Sequence, residues 1–257
     1  MTVITSSSNP RVRRWRELAR DGRMRRKENR ALIEGEHLVT AFLDSGRNPE
    51  TLILGETRMM KFDHVAKRAG GIPLVVSDAV FRSIADTESP SGIAAEISLR
   101  SKEVELANAA SCVFLEGIQD AGNAGAILRS AAAFGVRHVV LDKGCADAWS
   151  PKVLRAGMGA HFAMEILERA DLAAALDQFG GTAACAIARG GQPLMDADLA
   201  GRIGWIFGAE GQGVSAALAA RADLKVTIPM PGRAESLNVA AAAAICLYEL
   251  SRRAARA

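Results

Sequence analysis

Apolar and polar positions alternate along this chain in blocks that switch period. Short runs such as Arg30–Glu34 (RALIE), Thr51–Leu54, Pro73–Val76 and Gly92–Ile97 read as strands, and between them lie stretches with helical spacing. Ser8-Asn9-Pro10 caps a helix through Arg20 whose inner face is Val12, Trp15, Leu18 and Ala19, and Asp21-Gly22 stops it. Helices follow at Glu36–Asp44, Phe62–Ala69 and Asp78–Ile84, giving a small alternating α/β unit. The polar stretch Ser98–Ala107 marks a linker. A second series begins at Cys112–Leu115, with further strands at Val139–Leu141, Ala163–Leu167, Ala183–Ala188, Ile203–Phe207 and Leu224–Pro229. Its helices are Ala124–Phe134, Lys152–Met158, a segment from the cap Asp171 to Phe179, Ser215–Ala220 and Leu237–Arg253. Nearly continuous apolar strands between helices mean a mostly parallel sheet covered on both faces. The expected fold is therefore α/β, with residues 1–98 as an N-terminal domain, 99–110 as linker and 111–257 as the larger domain.

Charge changes this picture in one place. The net charge is +3 over 257 residues. Between Pro10 and Arg30, however, ten basic residues face three acidic ones, a net of +7, and the remaining 22 basic and 26 acidic residues give −4. Such a segment suits an anionic polymer, nucleic acid first, and a solvated helix face is the other reading. The candidate contacts are Arg11, Arg13, Arg14, Arg25, Arg26 and Lys27. No apolar run reaches membrane-span length, and the N-terminus lacks the apolar core of a signal peptide. Cys112, Cys145, Cys185 and Cys246 form no CxxC and have no histidine at ligand spacing. They read as buried thiols of a reducing cytoplasm, with no metal site.

Three strand–loop–helix stretches carry polar residues where a parallel sheet binds ligands, beyond the carboxyl ends of its strands. The first runs from Gly122-Asn123 to Arg129, and Arg129 can grip a phosphate or carboxylate in a fork or stand as a surface arginine. The second is Gly208-Ala-Glu210-Gly211-Gln-Gly213-Val-Ser215. It matches a dinucleotide fingerprint formally, but only one strand and one helix follow it. The third, Ile228 to Glu249, places Arg233, Glu235, Ser236 and Asn238 ahead of an Ala-rich helix, where Ser236 reads as an N-cap. Neither a Walker A loop nor a GxSxG elbow is present.

Taken together, the three stretches resemble the signature motifs of the SpoU/TrmH family of RNA ribose methyltransferases. Those motifs are Gly122-Asn123-Ala-Gly125…Arg129…Phe134-Gly135, Phe207-Gly208-Ala-Glu210-Gly211-Gln-Gly213-Val-Ser215, and Ile228-Pro229-Met230 with Gly232 and Glu235-Ser236-Leu237-Asn238-Val239. Asn9-Pro10, Glu34-Gly35 and Ser91-Gly92-Ile93-Ala94 are similar to the family's substrate-binding domain. Pro231 and Ala234-Glu235 fall at its variable positions.

The resemblance implies a C-terminal domain with a deep trefoil knot and methyl transfer from S-adenosylmethionine to a ribose 2′-hydroxyl of structured RNA. Ribosomal RNA is favoured because a separate N-terminal domain is more typical of ribosomal members. A tRNA methyltransferase, or a catalytically silent RNA-binding relative, is the alternative. Gly208, Glu210, Gly211, Ile228, Met230, Leu237 and Asn238 would hold the cofactor. Arg129 would act at the hydroxyl with Asn123 in support, and Glu210, Ser236 and Asn238 would order the site. The family works as homodimers through the last helix.

Overall fold

The computed structural model describes residues 2–99, 104–232 and 234–254. Arg233 and part of the expected linker lie outside them. The chain divides into two compact units, the first combining its N-terminal portion with Trp149–Phe162 and the second holding the rest.

In the first unit, five strands are joined in the order β1-β4-β3-β5-β2. They are β1 (Val3–Ile4), β2 (Arg30–Glu34), β3 (Thr51–Gly55), β4 (Leu74–Val76) and β5 (Ile93–Ser98). β4 runs parallel to β1 and β3, whereas β5 is antiparallel to β3 and β2. Successive strand residues face opposite sides, so these all-apolar strands need cover on both. Leu32, Ile53 and Ala94 pack with α1 (Pro10–Arg20) and α5 (Asp78–Ile84). Ile33, Leu52, Leu54, Ile93 and Ala95 pack with α3 (Glu36–Asp44) and α4 (Asp63–Arg68). Leu154 and Phe162 enter this second layer too, with the Phe162 ring edge-on to Phe42 at 5.2 Å.

The predicted break after Arg20 is a correction. A second helix, α2 (Gly22–Glu28), starts there directly, because the Asp21 carboxylate accepts from the Arg23 backbone N–H at 2.7 Å. A residue that ends one helix can cap the next. Asn29 then stops α2 in a left-handed conformation, φ 53°.

The second unit holds seven strands, all parallel, in the order β10-β12-β9-β11-β6-β7-β8. Their bounds are β6 (Ser111–Glu116), β7 (His138–Leu141), β8 (Glu165–Leu167), β9 (Thr182–Ala186), β10 (Gln192–Pro193), β11 (Ile203–Gly208) and β12 (Leu224–Thr227). Cys112, Phe114, Val140, Cys185 and Ile206 form one core layer with α8 (Leu172–Phe179) and Leu218 of α9 (Ala216–Ala219). The alternate residues Val113, Leu115, Val139, Trp205 and Phe207 are equally buried. α10 (Val239–Ala254) packs against α6 (Ala121–Ala133) and β11. The remaining helix, α7 (Pro151–Gly157), belongs to the first unit.

Two helix starts differ from the sequence reading. α6 begins at Ala121 rather than Ala124, with Asp120 as its cap, so Asn123 lies in the first turn. α10 begins at Val239, and its capping oxygen belongs to Asn238 and not to Ser236. The four cysteines are free thiols, and burial pushes those of Cys145 and Cys246 up to about 12, so they pack rather than react. Among the described residues no helix is long and apolar enough to cross a membrane.

Candidate functional site

β6 and β11 are neighbours in register, with Gly208 opposite Glu116, and β12 lies beyond β9. In a parallel sheet the loops leaving their carboxyl ends emerge at one edge. Three side chains from three loops meet there. Asn123 Nδ2 donates to Glu210 Oε1 at 2.7 Å. Asn238 Nδ2 donates to the same oxygen at 2.8 Å and to Asn123 Oδ1 at 3.0 Å. The orientation of Asn238 follows from its other half. Its Oδ1 accepts from the backbone N–H groups of Ala240 and Ala241, at 2.9 and 3.2 Å, so its amide nitrogen must face away from the helix. One residue thus caps α10 and joins the three motifs. On the far side of the loop, Glu116 Oε2 accepts from the Ser215 N–H at 2.7 Å, which fixes where the loop ends.

Beside this triad is a cleft of about 330 Å³, within the roughly 300–1,000 Å³ of small-molecule sites. Gly208, Glu210, Gly211, Ile228, Met230, Leu237 and Asn238 all line it, as does Ser236. Leu237 remains 38% exposed, an apolar side chain available to cover a ligand. Gly208 serves the loop itself. A Cβ there would stand 2.1 Å from the carbonyl carbon of Gly213, because the loop folds back on its own strand. A bridge between Ala209 and Gly213, with N–H to O at 2.8 Å, holds that fold. Gly211 and Gly213 turn the chain at φ 82° and 69°.

Asn123 and Arg129 are not part of the cleft lining. Arg129 is exposed on α6 and has no hydrogen bond or ion pair among the described residues, which leaves its five donors free. The sequence reading did not include Ala186, Ile187 and Ala188, which line the cleft from the end of β9. Only the strand order, with β9 between β11 and β12, brings them there.

The basic segment divides by burial. Arg11, Arg13 and Lys27 are exposed. Arg14 is paired with Glu28 and Glu96. Arg25 is a correction: it is 4% exposed and donates to the Leu18 carbonyl, so it fastens α2 to α1 and offers no charge to a ligand. Arg26 is exposed.

The double role of Asn238 gives a paired prediction. Asn238→Ala is expected to lower stability by about 1 kcal/mol through loss of the cap, and also to weaken ligand binding in the cleft. Asn238→Asp keeps a capping oxygen but sets a carboxylate against Glu210. Its melting temperature should fall less than that of the alanine variant, while its ligand affinity falls at least as far. Calorimetric melting and titration of both variants check this; equal affinities in Asn238→Asp and the parent would remove the triad from the site.

The SpoU rRNA Methylase family matches residues 110–248, and an MRM3-like substrate binding domain matches residues 9–95. The 23S rRNA (guanosine(2553)-2′-O)-methyltransferase RlmP of Bacillus subtilis (strain 168) is 37% identical over 258 residues, covering 97% of this chain and 99% of the relative. Among solved structures, the AdoMet-bound rRNA methyltransferase from Sinorhizobium meliloti superposes with a TM-score of 0.83 at 27% identity, covering 98% of each chain. An RNA 2′-O ribose methyltransferase superposes with a TM-score of 0.80 at 28% identity, covering 99% of this chain and 100% of the other. The motif order, the all-parallel sheet and full-length similarity agree: the chain belongs to the SpoU rRNA methylase family and is an RNA methyltransferase.

Proposed function

We propose that this chain transfers the methyl group of S-adenosylmethionine to a ribose 2′-hydroxyl of ribosomal RNA. The observation that carries the reading is the Asn123–Glu210–Asn238 network at the mouth of the cleft. The cleft residues fit the cofactor: Ile228 and Leu237 give apolar walls for a flat base, and the loop at Gly208 presents backbone rather than side chain. When bound, the cofactor supplies an electrophilic sulfonium methyl group. Gly208, Gly211, Ile228, Met230 and Leu237 hold it, and Glu210 and Asn238 keep the loops closed around it, with Ser236 at the rim.

A ribose hydroxyl is a poor nucleophile until it is polarised and aligned. Arg129 does not act as a base, because a guanidinium stays protonated. It binds the phosphate beside the reacting ribose and stabilises the negative charge developing on the oxygen. Asn123 ties the first turn of the same helix to Glu210. Residues 1–98 contact RNA and 111–257 carry out the transfer, the latter threaded as a deep trefoil knot. Ribosomal RNA is favoured over tRNA because RlmP, similar over almost its whole length, is named for 23S rRNA. A cytoplasmic location follows from that substrate. Incubation with labelled S-adenosylmethionine and total RNA, followed by mapping, should place a 2′-O-methyl group on ribosomal RNA. Label confined to tRNA would replace the substrate, and cofactor binding without any transfer would make the chain a silent relative.

The chain acts as a homodimer through α10. Ala241, Ile245 and Tyr248 form an exposed stripe with helical spacing. Ile245 and Tyr248 are 39% and 55% exposed, and Phe134 of α6 extends the patch, its ring edge-on to Tyr248 at 5.8 Å. Sedimentation should show a dimer that Ile245→Asp with Tyr248→Glu converts to a folded monomer of reduced activity. A dimer unchanged by both substitutions would move the interface elsewhere.

A further inference from the structure

The first unit contains a second cleft, of about 420 Å³, which the methyl-transfer site does not use. One wall carries Arg11, Arg14 and Arg30, and the opposite wall carries Pro49, Ile72 and Leu74. We propose that this cleft binds an unpaired nucleotide of the RNA substrate, its phosphate on the arginine wall and its base against the apolar wall. This rests on the RNA-methyltransferase reading and adds a contact away from the reacting ribose.

The arginine wall is built around a buried acid. Glu96, on β5, is only 4% exposed. It accepts from the Trp15 indole N–H at 2.9 Å and pairs with Arg14 at 2.8 Å and Arg30 at 3.3 Å. A buried carboxylate is tolerated only when paired and hydrogen-bonded, and here the same pairing fixes two guanidinium groups at the cleft. Arg14 uses its Nε toward Glu28 and its Nη1 toward Glu96, and Arg30 uses Nη1 toward both Glu50 and Glu96. Each guanidinium has five N–H donors, so donors remain on both. The side chains are still 34% and 28% exposed. Arg11 has no ion pair among the described residues, its side chain being free of the cap that its backbone N–H makes with Asn9. Glu50 is the opposing charge at the rim. It is occupied by the Ser98 hydroxyl at 2.6 Å as well as by Arg30, and these bonds hold its carboxyl below the usual range.

The other wall has the opposite chemistry. Ile72 follows Gly70-Gly71 and is 87% exposed, a large apolar side chain held out at the rim. Cationic groups facing an apolar surface across a nucleotide-sized gap suit an unstacked base with its phosphate, since phosphate contacts position the strand and apolar contact holds the base. A duplex, with its bases stacked inside, cannot use the second wall.

The test uses the full chain and a labelled, unstructured oligouridylate, with a duplex of the same length as competitor. Arg11→Ala should reduce the slope of log affinity against log salt by about 1. Ile72→Ser should weaken binding about tenfold with that slope unchanged. Arg23→Ala, an exposed cation outside the cleft, should do neither to the same extent. Binding unaffected by Arg11→Ala and Ile72→Ser overturns the proposal, as does an equal loss in Arg23→Ala, which would mean diffuse attraction. Displacement by polyglutamate from a cleft that ignores RNA would assign it to an acidic protein segment. If the unmodified chain transfers no methyl group to any RNA, the enzymatic reading itself fails, and that result is separate from the comparison of variants.

Discussion

Arg129→Ala is expected to lower methyl transfer by roughly 10²–10⁴-fold, the range for removal of a group that acts on charge or protons in a transition state. Cofactor affinity should stay close to that of the parent, because Arg129 does not line the cleft and bonds to none of its residues. The helix should also survive, since Arg129 is exposed and alanine is the best helix former. Single-turnover transfer and calorimetric titration with S-adenosylmethionine separate the two effects. Arg129→Lys discriminates further: if fork-like phosphate recognition matters, the point charge of lysine restores only part of the rate. Parent-like activity in the alanine variant would remove Arg129 from the mechanism.

Gly208→Ala is expected to have the largest effect on binding. The added Cβ would lie 2.1 Å from the carbonyl carbon of Gly213, and 2.2 Å from its oxygen and from the nitrogen of Val214. These are backbone atoms and cannot rotate away as a side-chain tip can. Relief requires breaking the Ala209–Gly213 bridge and opening the loop that carries Glu210. Overpacking of this kind costs about 1–3 kcal/mol, so cofactor affinity should fall by about 10–100-fold, together with the melting temperature. Gly211→Ala is the control. It meets no atom within 4 Å and bears only the strain of its positive φ. If titration finds Gly208→Ala no worse than Gly211→Ala, the folded-back loop is not what shapes the cleft.

Where local chemistry decides structure, the sequence was enough. α3 and α5 have the bounds read from Gly35 and Ser45 and from the capping Ser77. Strand positions followed from apolar runs closed by glycine or polar residues. Caps were less legible, because Asp21, Asp120 and Asn238 compete with neighbours of the same chemistry, and only the position of the whole helix selects among them. The same limit applies to Arg25, whose charge suggested a ligand contact. Its burial depends on how α2 folds back on α1, which no periodicity in seven residues reveals. In the site, the motifs supplied Asn123, Glu210 and Asn238, but not that they would hydrogen-bond to one another. That contact joins positions 115 and 87 residues apart and requires the order of the parallel strands.

The return of Trp149–Phe162 to the first unit limits how the protein can be divided. A fragment ending at the linker would keep all five strands of its sheet and lack Leu154 and Phe162, leaving the edge of the Phe42 ring and its neighbours bare. Such a fragment would associate through that bared surface. The natural order of synthesis carries the same consequence: the first sheet is complete on the ribosome about fifty residues before the chain that closes its core has emerged, so its early folded form is an open one.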